Sequence, residues 1–206
     1  MSFFTPDNRR HALEVVGRYP RRRSAMIPLL HLAQEQHGWI SEDAMREIAE
    51  LVGTTPSDVF GTCSFYEMFK REPVGTYLVN VCATLSCQLM GAEELMHHAE
   101  RTLGVRAGST TSDGLFTLEE AECQAACSEA PCLQVNYRHR YRVTPEDFDA
   151  LVAALRAGEL DAEIPRHGVL ARVRQRIPAE RATPVEAPED VAGPPAWLPE
   201  PAEQAG

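Results

Sequence analysis

The segment TYLVNVCATLSC, residues 76–87, joins a predicted strand to a pair of cysteines. Its first part is rich in β-branched, aromatic and aliphatic residues, which indicates a buried strand that runs directly into Cys82. Cys82 and Cys87 form a C-x4-C pair, and CQAAC at residues 123–127 adds a C-x3-C pair after 35 intervening residues. Two close cysteine pairs from distant segments predict a site built from four thiolates.

Three occupants suit such a site: zinc, an iron–sulfur cluster, or no metal at all, with the cysteines acting as redox dithiols. The dithiol interpretation is the weakest, because the C-x-x-C spacing typical of such pairs does not occur in this sequence. A [2Fe–2S] cluster is favoured over zinc, because two separate loops supply one thiolate pair to each iron. Small residues in those loops, at 83–86 and 124–126, let backbone N–H groups approach the sulfurs.

Length and composition indicate a cytosolic chain of one or two domains. The chain has 206 residues, of which 44% are hydrophobic and 24% charged. No run approaches the roughly 18 apolar residues of a membrane helix, and the N-terminus lacks the order of a secretory signal. We therefore expect no direct membrane insertion, and cysteines that serve metal or redox chemistry rather than disulfides. A net charge of −10 argues against nucleic-acid binding.

Residues 1–72 predict a helical bundle, because apolar residues recur at helical spacing in this region. Five side chains are expected to cap helices here and later in the chain: Asp7, Ser24, Ser41, Thr55 and Thr144. The aromatic-rich stretch at residues 63–69 is interpreted as a hydrophobic plug between two domains. Cys63 and Cys132 have no cysteine pair of their own and are interpreted as buried free thiols.

Residues 73–160 predict an α/β domain. After the strand at 76–81 we expect a short strand near Val105 and four longer elements: a helix at Gly91–Leu103, a strand at Leu115–Ala121, a hairpin around Arg138 and a helix from Thr144 to Gly158. Residues 161–206 are interpreted as a Pro-, Ala- and Glu-rich tail that is largely disordered, with a possible short helix at 168–177. Trp197-Leu198 is the only apolar feature of the last part of this tail.

The spacing of the four cysteines resembles that of the thioredoxin-like [2Fe–2S] ferredoxins. Several further stretches, in the same order, are similar to the E-subunit family of bacterial NADH:quinone oxidoreductase, complex I. They are Ile27-Pro-Leu-Leu-His-Leu-Ala-Gln34, His37-Gly-Trp-Ile40, Phe65-Tyr66 with Met68-Phe69, Gly91-Ala-Glu-Glu-Leu95 and Gly114-Leu-Phe-Thr-Leu-Glu-Glu120. The resemblance spans residues 9 to about 157.

The resemblance implies an α+β fold class, with an N-terminal helical bundle followed by a thioredoxin-like α/β domain. It implies that Cys82, Cys87, Cys123 and Cys127 ligate one [2Fe–2S] cluster. It implies an electron-transfer subunit at the cytoplasmic face of the inner membrane, partnered by a flavin subunit that binds NADH and FMN and by the other peripheral-arm subunits. The absence of a G-x-G-x-x-G fingerprint and of a phosphate loop from this sequence agrees with that division of labour.

Two other functions stay open on the residues alone. The first is a diaphorase subunit of an NAD-linked hydrogenase or formate dehydrogenase, since those subunits resemble this sequence closely. The second is a zinc-stabilised four-cysteine assembly protein without redox activity.

The sequence departs from the family pattern at two positions beside the cysteines. The residues before Cys127 are Ala125-Ala126, where the family usually has a Gly-Ala step. The strand after Ala130-Pro131 starts with Cys132, where the family usually has valine. Cys132 therefore lies near the four expected ligands, and a ligand swap is conceivable.

Overall fold

Four helices form the N-terminal part of the computed structural model, which describes residues 2–168. They are α1 (Pro6–Gly17), α2 (Met26–His37), α3 (Glu42–Val52) and α4 (Pro56–Phe65), with a 3-10 turn at Arg22–Ala25 between the first two. Their apolar faces share one core, in which Leu29, Leu30 and Ile48 are fully buried. The predicted helical bundle is confirmed. The helix expected at 168–177 and Trp197-Leu198 lie outside the described residues.

Three of the five predicted N-caps are confirmed: Ser41, Thr55 and Thr144. The other two predictions were wrong. Thr5 rather than Asp7 caps α1, because the Thr5 hydroxyl accepts a hydrogen bond from the Asn8 N–H at 3.2 Å. Ser24 lies within the 3-10 turn, so α2 begins at Met26 without a side-chain cap.

The aromatic stretch at residues 63–69 belongs to the bundle. Cys63 and Phe69 are buried in the bundle core, whereas the Phe65 side chain is 78% exposed. The predicted plug between domains was therefore wrong for Phe65, because the last turn of α4 directs this ring outward.

The second part of the fold is a five-stranded mixed sheet in the order β2-β3-β1-β4-β5. Its strands are β1 (Tyr77–Cys82), β2 (Ser109–Thr110), β3 (Phe116–Ala121), β4 (Leu133–Val135) and β5 (Arg138–Arg140). The central strand β1 is buried along its whole length, as its apolar run predicts, and pairs in parallel with β3 and antiparallel with β4. The strand expected near Val105 is the two-residue β2.

The hairpin of β4 and β5 has its turn at Asn136-Tyr137 rather than at Arg138. Both turn residues have positive φ angles, 47° and 66°, as the tight turn of a two-residue hairpin requires. The Asn136 side chain is buried and satisfied, because its amide donates to the carbonyl oxygens of Thr76 and Pro165 at 2.9 and 2.8 Å. This turn therefore fastens the start of β1 and the chain beyond the last helix.

Three helices complete the domain: α5 (Leu85–Leu89), α6 (Ala92–Leu103) and α7 (Pro145–Ala157). Buried side chains from α6, α7 and the sheet form a second core, separate from that of the bundle. The chain continues against this core after α7, since Ile164 is 1% exposed and the His167 N–H donates to Thr76 at 2.9 Å. Residues 161–168, which the sequence assigned to the tail, thus pack on the domain.

A partly buried ion pair and a hydrogen bond connect the bundle to the sheet. The Lys70 ammonium lies 2.6 Å from the Glu119 carboxylate on β3. The Tyr137 hydroxyl donates to the Met68 carbonyl oxygen at 3.1 Å. These contacts place the end of the bundle beside the strand that leads into Cys123.

Candidate metal centre

Cys82 and Cys87, here called the inner pair, are held by regular structure at the end of the central strand. Cys82 is the last residue of β1, and Cys87 lies on α5 immediately beyond it. Both side chains are 2% exposed. The sheet hydrogen bonds continue one residue past Cys82, because the Ala83 N–H donates to the Ala121 carbonyl oxygen at 2.9 Å. The predicted strand therefore places this pair as expected, while the helix α5 was not predicted.

Cys123 and Cys127, here called the outer pair, are exposed: Cys123 lies in the irregular segment after β3, and Cys127 begins the 3-10 turn Cys127–Glu129. Their Sγ atoms are 3.7 Å apart. The Ala125 N–H donates to the Cys123 Sγ atom at 3.4 Å, from a backbone with a φ angle of 59°. The expected approach of a backbone N–H to a sulfur is thus present in this loop.

Cys132 lies beside the inner pair, as its position in the sequence suggested. Its side chain is completely buried, and its Sγ atom is 3.7 Å from that of Cys87. The Sγ atoms of Cys82, Cys87 and Cys132 all lie within 4.8 Å of one another. The sequence interpretation of Cys132 as a buried thiol is confirmed, but spacing alone did not show that three thiols converge.

Gln124 and His139 hold in place the segment that carries the outer pair, here called the outer loop. The sequence analysis gave neither residue this role. The Gln124 side-chain amide donates to the Asn80 carbonyl oxygen on β1 at 2.9 Å. The Cys132 thiol lies 3.7 Å from the Gln124 side-chain oxygen. His139 Nε2 lies 3.1 Å from the Gln124 carbonyl oxygen and 2.9 Å from the Gln134 side-chain nitrogen, so the Nε2–H tautomer donates to Gln124 and the Nδ1–H tautomer accepts from Gln134. The sequence carries no local signal for His139, because its partner comes from another segment.

The hydrogen bonds of the site favour a thiolate in each pair. Burial alone would raise the pKa of Cys82, but hydrogen bonds from Thr84 and from the Gln124 backbone lower it to about 7. The Ala125 backbone N–H, followed by Cys127 and Thr84, lowers the pKa of Cys123. Metal ligation requires deprotonated cysteine, so these contacts favour the ligating form of one candidate residue in the inner pair and one in the outer pair.

Burial dominates at the other two thiols beside β1. It raises the pKa of Cys87, and it raises that of Cys132 to about 12, with the neighbouring cysteines as further causes. A metal-free chain therefore holds these two thiols protonated.

The donor set fits an iron–sulfur cluster. The inner pair lies at the end of β1 and the outer pair follows the end of its parallel neighbour β3, and a backbone N–H already approaches one of the sulfurs. An all-sulfur site suits zinc or iron–sulfur clusters and disfavours magnesium and calcium, which prefer oxygen.

The fold and the site together define an α/β metal–thiolate protein with an N-terminal helical bundle. The model of the thioredoxin-like [2Fe-2S] ferredoxin family matches residues 12–156. The chain therefore belongs to the thioredoxin-like [2Fe–2S] ferredoxin family, as its sequence resemblance predicted. The family assignment favours the iron–sulfur cluster over the zinc alternative.

Relatives within this family agree with the resemblance. The chain is 45% identical over 167 residues to NADH-quinone oxidoreductase subunit 2 of Thermus thermophilus, covering 80% of this chain and 92% of that relative. It is 42% identical over 146 residues to the NADH-quinone oxidoreductase E-subunit of Mycobacterium tuberculosis, covering 71% of this chain but only 58% of that relative.

The fold also resembles a solved structure of an NAD+-reducing [NiFe]-hydrogenase. The TM-score is 0.60 at 20% sequence identity, over 68% of this chain and 24% of that chain. At this identity the likeness concerns the fold, and it does not choose between the two kinds of complex.

Proposed function

We propose that this chain is the electron-transfer subunit of the NADH-dehydrogenase module of respiratory complex I. In this proposal the inner pair, Cys82 and Cys87, and the outer pair, Cys123 and Cys127, hold one [2Fe–2S] cluster. The observation that carries it is the presence of two thiol pairs at one end of the sheet, one fixed by β1 and α5 and the other carried by a surface loop. The relatives named as NADH-quinone oxidoreductase subunits support the choice of complex.

A [2Fe–2S] cluster supplies a site that accepts and releases one electron at a time. The exposed outer pair and the buried inner pair of this chain would hold it at the edge of the protein, with its inner side away from water. The Ala125 N–H donates to one ligand sulfur, and such bonds tune the reduction potential. Hydride chemistry belongs to a flavin partner that binds NADH and FMN, since this sequence carries no dinucleotide fingerprint.

An exposed apolar patch beside the site supports docking of that flavin partner. Leu85 and Leu89 on α5 are 75% and 77% exposed, and Met90 follows them at 61%. Clustered exposed apolar side chains mark interaction surfaces, and this patch lies on the helix that carries Cys87. A partner seated here lies next to the proposed cluster, as electron exchange with its flavin requires.

Docking can be tested by charge insertion in the patch. Leu89→Glu is expected to weaken co-purification with the flavin subunit, while the spectrum of the isolated chain stays unchanged. Leu13→Glu is the control, because Leu13 is an exposed leucine on α1 outside the patch. Equal flavin-subunit recovery with both variants would reject this docking surface.

None of the helices within residues 2–168 is long and apolar enough to cross a bilayer. In our proposal the chain reaches the cytoplasmic face of the inner membrane as part of the peripheral arm, through its protein partners.

Metal analysis with visible spectroscopy tests the proposed function. The full chain, purified without oxygen, is expected to be red-brown and to carry about two iron atoms and no zinc. A colourless chain with about one zinc would overturn the proposal. The chains that co-purify from native membranes then distinguish complex I from an NAD-linked hydrogenase or formate dehydrogenase.

A further inference from the structure

The inner pair has a third thiol at ligand distance. Cys132 Sγ is 3.7 Å from Cys87 Sγ, which equals the separation of the two sulfurs within the outer pair. All three inner sulfurs lie within 4.8 Å of one another. The Cys87 and Cys132 sulfurs have the separation of two ligands on one tetrahedral metal, and both lie within 4.8 Å of the Cys82 sulfur, so Cys87 and Cys132 are alternative partners of Cys82.

The backbone of Cys132 is already fixed in the place that ligation would need. Its carbonyl oxygen accepts the Cys82 N–H at 3.1 Å, and β4 begins at the next residue and pairs with β1. Cys87, in contrast, is carried by a five-residue helix whose outer face is exposed. Replacement of Cys87 by Cys132 therefore requires movement of one side chain and no rearrangement of the sheet.

Cys63 is a buried thiol that lies away from the other cysteines and serves as a comparison for Cys132. It is also almost completely buried, but it packs in the core of the helical bundle. Cys132 instead shares a small cluster with Cys82, Cys87 and Ala92. Burial alone thus does not account for the position of Cys132.

We propose that Cys132 is a reserve ligand. It takes the place of Cys87 on the iron that the inner pair holds, when Cys87 is lost. This proposal rests on the proposed function, since it presupposes the [2Fe–2S] cluster. Where Cys87 is missing, the Cys132 thiol would release its proton to solvent, and its thiolate would occupy the iron position that Cys87 leaves open. The number of thiolate ligands and the charge of the site would equal those of the unaltered protein, and no electron is transferred.

The test uses the full chain with Cys87→Ala, which removes the ligand and offers no oxygen in its place. This variant is expected to retain most of its iron and sulfide, with a shifted visible spectrum and a shifted electron paramagnetic resonance signal in the reduced state. Addition of Cys132→Ala is expected to abolish the cluster. Addition of Cys63→Ala instead is the matched control, and it is expected to leave the cluster of Cys87→Ala intact.

The outcomes separate this inference from the proposed function. If wild-type protein carries the cluster but Cys87→Ala loses it while circular dichroism shows a folded chain, the reserve role is rejected and the proposed function stands. Retention of the cluster in the Cys87→Ala, Cys132→Ala double variant also rejects it, because another group would then be the ligand. If Cys87→Ala does not fold, the same comparison is made with Cys87→Val, which also offers no ligand atom, alone and combined with Cys132→Ala. Wild-type protein without iron would overturn the proposed function itself.

Discussion

The inner and outer cysteine pairs contribute the same chemical group from opposite environments. The inner pair is 2% exposed and sits on a strand and a helix, whereas the outer pair is exposed on a loop. A further thiol, Cys132, lies beside the inner pair, whereas polar contacts of Gln124 and His139 hold the segment that carries the outer pair. We infer that the sheet fixes the position of the site, while the contacts of the segment that carries the outer pair set how firmly the proposed cluster is held.

Substitution of one proposed ligand in either pair should have the strongest effect on cluster content. Cys82→Ser or Cys127→Ser is expected to lose the cluster, because each leaves an iron without its thiolate. Iron content and visible absorption of the purified chain measure the loss. Cys63→Ser is the control, and it should keep a normal spectrum because Cys63 lies in the bundle core. A normal spectrum in either ligand variant would contradict the ligand assignment.

In the metal-free chain, the exposed and the buried cysteines should differ in their rates of alkylation. At about pH 7.5, iodoacetamide is expected to modify Cys123 at least about tenfold faster than Cys87 or Cys132. Cys123 is exposed and its pKa is lowered by the Ala125 N–H, whereas burial raises the pKa of Cys87 and brings that of Cys132 to about 12. Because only the thiolate reacts, raising the pH through neutrality should saturate Cys123 first and leave Cys132 protonated.

Peptide mass mapping over a time course gives the rate at each cysteine. Equal modification rates at the exposed and the buried thiols would show that Cys87 and Cys132 become accessible to solvent in the metal-free chain. That result would contradict the difference in environment between the two pairs.

The brace of the outer loop should have a smaller effect. His139→Ala removes the ring nitrogen that hydrogen-bonds the Gln124 carbonyl oxygen in the Nε2–H tautomer, and one such hydrogen bond contributes about 1 kcal/mol. We therefore expect the cluster to bleach about fivefold faster with an iron chelator. His11→Ala on the exposed side of α1 is the control. An unchanged bleaching rate for His139→Ala would mean that the loop holds its geometry without this contact.

The sequence predicted what depends on local chemistry. The caps at Ser41, Thr55 and Thr144 follow from hydroxyls that bond the backbone three residues on, and β1 follows from an unbroken apolar run. The predicted position of the hairpin turn, Arg138, was wrong. The turn lies at Asn136-Tyr137, and a tyrosine side chain gives no indication of a positive φ angle.

The site was predictable to the same extent. The cysteine pairs could be recognised from their spacing, since each pair lies within a few residues of chain. Two contacts could not be predicted in this way: that of Cys132 with Cys87 and that of His139 with Gln124. Both depend on how the β4–β5 hairpin pairs with β1, which the local sequence pattern does not indicate.

The smallest expected effect concerns Ala125, where the sequence departs from the family's usual glycine. Ala125 has a φ angle of 59°, in the left-handed region that costs a residue with a Cβ atom about 1 kcal/mol. Ala125→Gly removes this strain but adds freedom to the unfolded chain, so the net gain is about 0.5 kcal/mol. The cluster should therefore bleach about twofold more slowly with a chelator.

Ala126→Gly is the matched control for this loop, because Ala126 has a φ angle of −117° and carries no such strain. It gains nothing in the folded state and should bleach at the wild-type rate or faster. If both glycine variants behave alike, general flexibility of the outer loop governs cluster retention. If only Ala125→Gly slows bleaching, the strained backbone that aims the Ala125 N–H at Cys123 is the weak point of the outer pair, a strain that the inner pair, set on β1 and α5, does not share.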